Sequence, residues 1–414
     1  MTATAVPVHQ ETPPDDRPPV RVVFAAIAFA AVVTAAVVFA GVALRDKIPM
    51  FELDFRVYHM GGSAVLNGIS PFDVATDRDL LFTYSPFAAL VFVPFGAMNV
   101  HVAFGIYTFA SVLSLVAVIW LAIGLVDSDT RAGRTRFTIL AAAAALVTAP
   151  VWMMVCNGQI NILLTLLVLA DVARRPGRFQ GVGVGIAAGI KLTPLIFIPY
   201  FLLTGRIRAA VVSAVTFAAT VLLSFAVIPG PTEHWLGGTL LDTTRMMPPD
   251  HGPWNESIRG VLGQLPGVLH ASWLAVALTV VVGLAGLAIS VAAHRRGMVA
   301  AGVIACGVTG LLVSPLSWPH HWVWVVPGVA AWLWWALRER NRAHIVGAVA
   351  AWVVLVVSAV LMLLDDSPVA DIVVRVLDLS PAGLLMLNSL PVLAGLVYLG
   401  TLAGILRRKV TVSV

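Results

Sequence analysis

Residues 22–44 read VVFAAIAFAAVVTAAVVFAGVAL, an unbroken run without a charge between Arg21 and Arg45. About 20 apolar helical residues span the hydrocarbon core of a bilayer. The run is therefore long enough to cross and to stay as a helix rather than be removed as a leader. Residues 137–170, 209–232, 271–293 and 379–406 carry no charge either. Only 11% of the 414 residues are charged and 59% are hydrophobic, against roughly a quarter charged in a soluble chain. Such a chain cannot cover its own core with polar surface, and the expectation is an all-α polytopic membrane protein.

Thirteen apolar segments can be drawn, several too short to cross alone. Basic residues collect on the cytoplasmic side of membrane proteins. The clusters Arg17/Arg21, Arg131/Arg134/Arg136, Arg174/Arg175/Arg178, Arg206/Arg208, Arg295/Arg296, Arg338/Arg340/Arg342 and Arg407/Arg408/Lys409 hold 18 of the 26 basic residues, so these connections are placed inside. The other connections, 45–80, 230–270 and 365–380, carry 14 of the 21 acidic residues and fall outside. With both termini inside the crossings are even in number, about twelve, and one segment between 82 and 126 bends back or stays shallow. The expected organisation is a disordered cytoplasmic N-terminus over 1–20, one transmembrane domain over 21–408 and a cytoplasmic tail over 409–414. The two long outer loops, 45–80 and 230–270, exceed the usual short connections and read as functional. The basic pI near 9.6 reflects these inner clusters, so no nucleic-acid partner is expected. Cys156 and Cys306 lie in apolar stretches and read as buried, unpaired residues.

Charge or hydrogen-bonding capacity near membrane depth is costly and marks candidate function. Glu52, Asp54, Arg56 and Tyr58 follow the first span. In a helix, Asp54 and Tyr58 share a face, as do Glu52 and Arg56. This is either a solvated helix with a surface ion pair or the seat of a general base, Asp54, close to the membrane surface. Tyr84 in Phe82-Thr83-Tyr84-Ser85-Pro86 closes the same loop. Asn157, Gln159 and Asn161 place three amides between apolar helices, as helix ties or as ligand contacts. Lys191 is the sole charge between Arg178 and Arg206, suited to snorkelling or to an anionic phosphate. His320 and His321 are adjacent and point apart on a helix, and no acid lies between Gly297 and Leu337. Hydrogen bonding to a phosphate or sugar therefore suits them better than a metal, and no metal or cofactor is expected. Arg259, in the second loop, is a further candidate anion ligand. All these groups fall on one side of the membrane in the arginine-based topology.

The run Asp54-Phe55-Arg56-Val57-Tyr58, then Gly61, Ala64, Gly68, Pro71-Phe72-Asp73 and Phe82-Thr83-Tyr84-Ser85-Pro86, resembles the first outer loop of the actinobacterial polyprenyl-phosphate-mannose-dependent α-1,2-mannosyltransferases. Gly158-Gln159-Ile160-Asn161 and Lys191-Leu192-Thr193-Pro194 follow in the expected order. Phe72 and Ser85 depart from the pattern, where tyrosine and a second proline are common. The resemblance implies a GT-C type membrane glycosyltransferase in the plasma membrane with its site on the outer face. It implies a polyprenyl-phosphate mannose donor, a phosphatidylinositol-mannoside acceptor, and inversion at C1 with Asp54 taking the proton of the acceptor 2-hydroxyl. Arg56, Tyr58, Tyr84, Gln159, Asn161, Lys191, Arg259, His320 and His321 are the substrate-binding candidates. A branching enzyme of lipomannan, a lipid-linked sugar flippase and a non-catalytic lipid-binding subunit are the rival readings. The absence of paired repeats or an inward polar cluster weighs against the flippase.

A cysteine introduced by Pro176→Cys tests this topology. It is expected to react with a membrane-impermeant maleimide only after the membrane is opened. Labelling of intact cells would invert the early helices.

Overall fold

The computed structural model describes residues 20–44, 51–127, 131–174, 176–242, 255–265, 272–365 and 389–407. The expected disordered segment 1–20 (Val20 apart), most of the connection 365–380 and the tail 409–414 lie outside the described residues. In chain order the helices are α1 (Val20–Leu44), α2 (Leu53–Leu66), α3 (Pro86–Val91), α4 (Val93–Gly96), α5 (Val100–Gly124), α6 (Arg131–Ala145), α7 (Ala149–Asn157), α8 (Asn161–Ala173) and α9 (Val182–Ile190). They continue with α10 (Phe197–Leu203), α11 (Ile207–Val227), α12 (Pro229–Leu236), α13 (Ile258–Gly263), α14 (Ser272–Arg295), α15 (Val299–Val313), α16 (Val325–Arg338), α17 (Arg342–Asp365) and α18 (Leu390–Arg407). Short 3-10 turns occupy Thr193–Ile196 and Pro319–Trp324. The described residues contain no strand beyond one isolated bridge between Ala75 and Leu81.

Five of these helices, α1, α5, α11, α14 and α18, are long and apolar enough to cross a bilayer. The pair α6 and α7, bent by 75°, makes six when taken as one span. The chain is thus a multi-pass helical membrane protein, and its described residues hold fewer uninterrupted spans than the apolar segments of the sequence. The reason is local. Gly158 takes a left-handed φ of 73° and ends α7, the backbone becomes extended at Lys191 after α9, and Ser314-Pro315 ends α15. Segment 82–98 divides at Phe92 into helices of six and four residues. At 1.5 Å per residue these are far too short to cross.

α5 is the most enclosed of the long helices, with Phe104, Tyr107, Leu115 and Ile119 buried. α1, α11 and α14 instead present large apolar side chains outward, among them Phe39, Leu222, Leu284 and Trp273. Water would make that surface unfavourable, whereas lipid tails accommodate it.

α2 lies outside the five spans and packs inward on α5. Phe55 meets Phe104 and Tyr107 at 5.5 and 5.1 Å between ring centroids, and Tyr58 stacks on Phe92 at 4.5 Å. α3 starts with Ser85, whose side chain accepts from the Ala88 N–H while Pro86 occupies the first turn. The same hydroxyl bonds the Gly189 carbonyl and so joins α3 to the end of α9. Close approach of α2 to α3 and α4 depends on two glycines. A Cβ on Gly62 would collide with the Phe92 carbonyl, and one on Gly96 with the Ser63 backbone.

Gly62→Ala is therefore expected to destabilise the protein by about 1–3 kcal/mol, read as a lower melting temperature in detergent. Gly230→Ala, whose added Cβ meets nothing within 4 Å, should stay within about 0.5 kcal/mol of the parent.

Candidate functional site

Two left-handed residues bring α2 and α7 together. Gly158 turns the chain at the end of α7, and its lack of a Cβ leaves room for Phe55. Glu52, with φ 58°, caps α2 and donates its backbone N–H to the Cys156 carbonyl at 2.9 Å. A left-handed glutamate is strained and persists only where its surroundings hold it. Here the buried carboxylate lies 3.0 Å from Arg56 and 3.0 Å from His101 Nδ1. The joint sets Asp54, in the first turn of α2, beside the side chains of Asn157 and Gln159.

From there a hydrogen-bonded line runs across the molecule. Tyr58 Oη is 3.0 Å from both Tyr84 Oη and Gln159 Oε1. Gln159 Nε2 donates to Tyr84 Oη at 3.2 Å, and Asn161 Nδ2 donates to Gln159 Oε1 at 3.3 Å. Lys191 Nζ lies 3.1 Å from Asn161 Oδ1 and 2.7 Å from His321 Nε2. The Trp318 N–H closes the line by donating to His321 Nδ1 at 3.1 Å. His320 packs edge-on against His321, and both of its ring nitrogens are buried without a hydrogen-bond partner. Seven of the candidates, Asp54, Tyr58, Tyr84, Gln159, Asn161, Lys191 and His321, thus share one network, with His320 against it.

Protein surrounds Asp54 while leaving it partly accessible. Burial pushes its pKa up to about 6, against the lowering effect of the Gln159 hydrogen bond, the Lys191 charge and the Asn157 hydrogen bond. Beside the network, a small open cleft with a free volume of about 20 Å³ is lined by Asn161, Thr193 and His321 and by apolar groups including Ile196, Phe197, Leu311 and Trp324.

Two candidates lie elsewhere. Arg56 reaches Glu52 and, at 3.8 Å, Asp77, so its guanidinium clamps the start of α2. Arg259 is exposed on α13 and is no member of the network. The second loop nonetheless reaches the histidine segment. Asn255 Nδ2 donates to the Pro315 carbonyl at 3.0 Å, Ser317 N–H to Asn255 Oδ1 at 3.1 Å, and Glu256 N–H to the Ser317 carbonyl at 2.7 Å. Glu256 is buried with Oε2 unpartnered, and burial pushes its pKa well above the usual carboxylate range. The spacing of Glu52 and Arg56 on one helix face was legible in the sequence and the ion pair forms, whereas the contact of Glu52 with His101, 49 positions on, carries no spacing signal. Among the described residues, no three His, Cys, Asp or Glu side chains group as metal ligands.

The arrangement defines a buried polar site with one carboxylate, one amine and several neutral hydrogen-bonding groups. Residues 82–315 match the model of glycosyltransferase family 87. A polyprenol-phosphate-mannose-dependent α-(1-2)-phosphatidylinositol pentamannoside mannosyltransferase of Mycolicibacterium smegmatis is 32% identical over 309 residues, 71% of this chain and 72% of that protein. A polyprenol-phosphate-mannose-dependent α-(1-2)-phosphatidylinositol mannoside mannosyltransferase of Mycobacterium tuberculosis is 31% identical over 317 residues, 71% of this chain and 73% of that protein. No solved structure matches significantly. The chain belongs to glycosyltransferase family 87, and it is an enzyme, a multi-pass membrane glycosyltransferase related to these mannosyltransferases.

The Asp54 carboxyl has a folded pKa of about 6, above its ordinary 3.8. Its stabilising contribution is complete when protonated, below about pH 4, and is lost as pH rises through 6. Asp54→Asn should therefore stabilise the protein at pH 7.5, by up to about 3 kcal/mol, with the gain roughly halved at pH 5. Melting temperatures at the two pH values check this.

Proposed function

We propose that this enzyme transfers mannose from polyprenyl-phosphate mannose to the 2-hydroxyl of a mannose on a phosphatidylinositol-mannoside glycolipid. The reading carries over what the relatives' names state. In this chain it is supported chiefly by the convergence of Asp54, the Gln159–Asn161 amides, Lys191 and His321 from four separate segments beside a half-apolar cleft.

The proposed chemistry is a single displacement. Asp54 accepts the proton of the acceptor 2-hydroxyl as its oxygen attacks C1 of the donor mannose. The C1–O bond to phosphate breaks on the opposite face, and a β-linked donor yields an α-linked product. A carboxylate with a pKa of about 6 is ionised at neutral pH yet more basic than an ordinary aspartate, as a general base requires. The leaving group departs with the bonding electrons as polyprenyl phosphate. Lys191, His320 and His321 are the groups assigned to its growing charge, which stabilise the transition state more than the ground state. No metal or other cofactor takes part in this scheme. The proposed topology keeps about twelve crossings, with shorter helices joining the five long ones, both termini in the cytoplasm, and loops 45–80 and 230–270 on the outer face of the plasma membrane in a GT-C type architecture.

Purified protein in detergent, given radiolabelled polyprenyl-phosphate mannose and a phosphatidylinositol mannoside, should form an α-1,2-linked product with or without EDTA. Asp54→Asn should lose about 100-fold or more in kcat while still binding donor, and full activity in that variant would sink the assigned base. For the parent enzyme, log kcat/KM should rise with pH to about 6 as Asp54 ionises and fall again above about 8 as free Lys191 loses its proton.

A further inference from the structure

The hydrogens along the line from Trp318 to Tyr84 can be counted. A backbone N–H only donates, so the Trp318 N–H at 3.1 Å requires a lone pair on His321 Nδ1. The neutral ring then carries its proton on Nε2, which lies 2.7 Å from Lys191 Nζ. An ammonium has three donors and no acceptor. Two donors facing each other at this distance make no bond and repel. A neutral amine removes the conflict. It accepts from Nε2–H and keeps two hydrogens, one of which reaches Asn161 Oδ1 at 3.1 Å. Donation then continues from Asn161 Nδ2 to Gln159 Oε1 and from Gln159 Nε2 to Tyr84 Oη, all in one consistent direction.

We infer that Lys191 has a neutral-amine form held by His321 in the empty site, and that this form takes up a proton when an anionic phosphodiester binds, which turns the His321 Nε2–H over to a phosphate oxygen. The step rests on the assignment of the donor phosphate to Lys191. It balances as R–NH2 plus H⁺ from solvent giving R–NH3⁺, with the single negative charge of the phosphodiester unchanged. The titratable groups around the amine are Asp54 from α2, Tyr84 from the segment before α3, and His320 and His321 from the turn before α16. Asp54 favours the ammonium, while burial, the larger effect, lowers the Lys191 pKa to about 8. Burial, the largest effect, drives both histidines well below their ordinary value, so the rings are neutral. In the neutral-amine form the empty site avoids an unpaired buried cation, and positive charge arrives with the ligand.

The test is calorimetric titration of the full-length protein in detergent with polyprenyl-phosphate mannose, without acceptor. It is run at pH 8 in two buffers of different ionisation enthalpy. The phosphodiester does not titrate near neutrality, so proton uptake belongs to the protein. The parent, with its amine about half neutral at this pH, should take up about half a proton per donor bound, and Lys191→Arg, charged at every accessible pH, should take up none. His321→Ala, which frees Lys191 to rest as an ammonium, should take up less than about half as much as the parent. Normal donor binding by the parent with uptake below about a tenth of a proton overturns the inference. So does uptake in Lys191→Arg equal to that of the parent, since the proton would then go elsewhere. Failure of the parent to bind donor at all overturns the donor assignment as well.

Discussion

The hydrogen bond from the Glu52 N–H to the Cys156 carbonyl joins the start of α2 to the end of α7, and the site depends on that joint. Both ends meet in left-handed backbone, glycine on one side and glutamate on the other. Glycine adopts that geometry without penalty. Glutamate does not, and its carboxylate is correspondingly fixed by Arg56 and His101. The joint sets the first turn of α2 against the amide turn 157–161. Asp54 thereby meets Asn157 and Gln159, and Gln159 in turn meets Tyr58 and Tyr84. Loss of the joint would leave each functional group on its own helix, without a shared centre.

Low dielectric surroundings make the few polar groups strong in their effects on one another. Asp54 and Lys191 are each drawn towards their neutral forms by burial and towards their charged forms by each other. The amides between them supply hydrogen bonds without adding charge. A carboxylate thus retains basicity near neutral pH, and an amine retains access to its uncharged form, which neither would do in water. The orphaned ring nitrogens of His320 fit the same picture of groups arranged for a ligand rather than for the resting protein.

Much of this was legible in the chain. Charge-free runs of spanning length identified the membrane class, and the isolated polar groups Asp54, Gln159, Asn161, Lys191 and His321 were visible because any polar residue stands out in an apolar frame. Other features were not. The segment 82–98 divides at Phe92, with Pro94 in the first turn of the second short helix, and composition does not register that bend, whereas the break at Lys191 between 179–190 and 192–203 was legible. Arg56 pairs with Glu52 as its four-residue spacing allowed, but its reach to Asp77 had no signal in the sequence. Arg259 sits on a surface, and Glu256, three positions earlier, is buried.

The sequence by itself determined that the chain lives in a membrane and that charge within it would be rare and purposeful, because hydropathy acts over whole segments and needs no knowledge of neighbours. Only the tertiary structure decided which of those rare groups meet. Hydrogen bonds require partners within about 3 Å, and residues separated by 137 positions, such as Asp54 and Lys191, reach a common site only through the turns and glycine contacts that set the helices against one another.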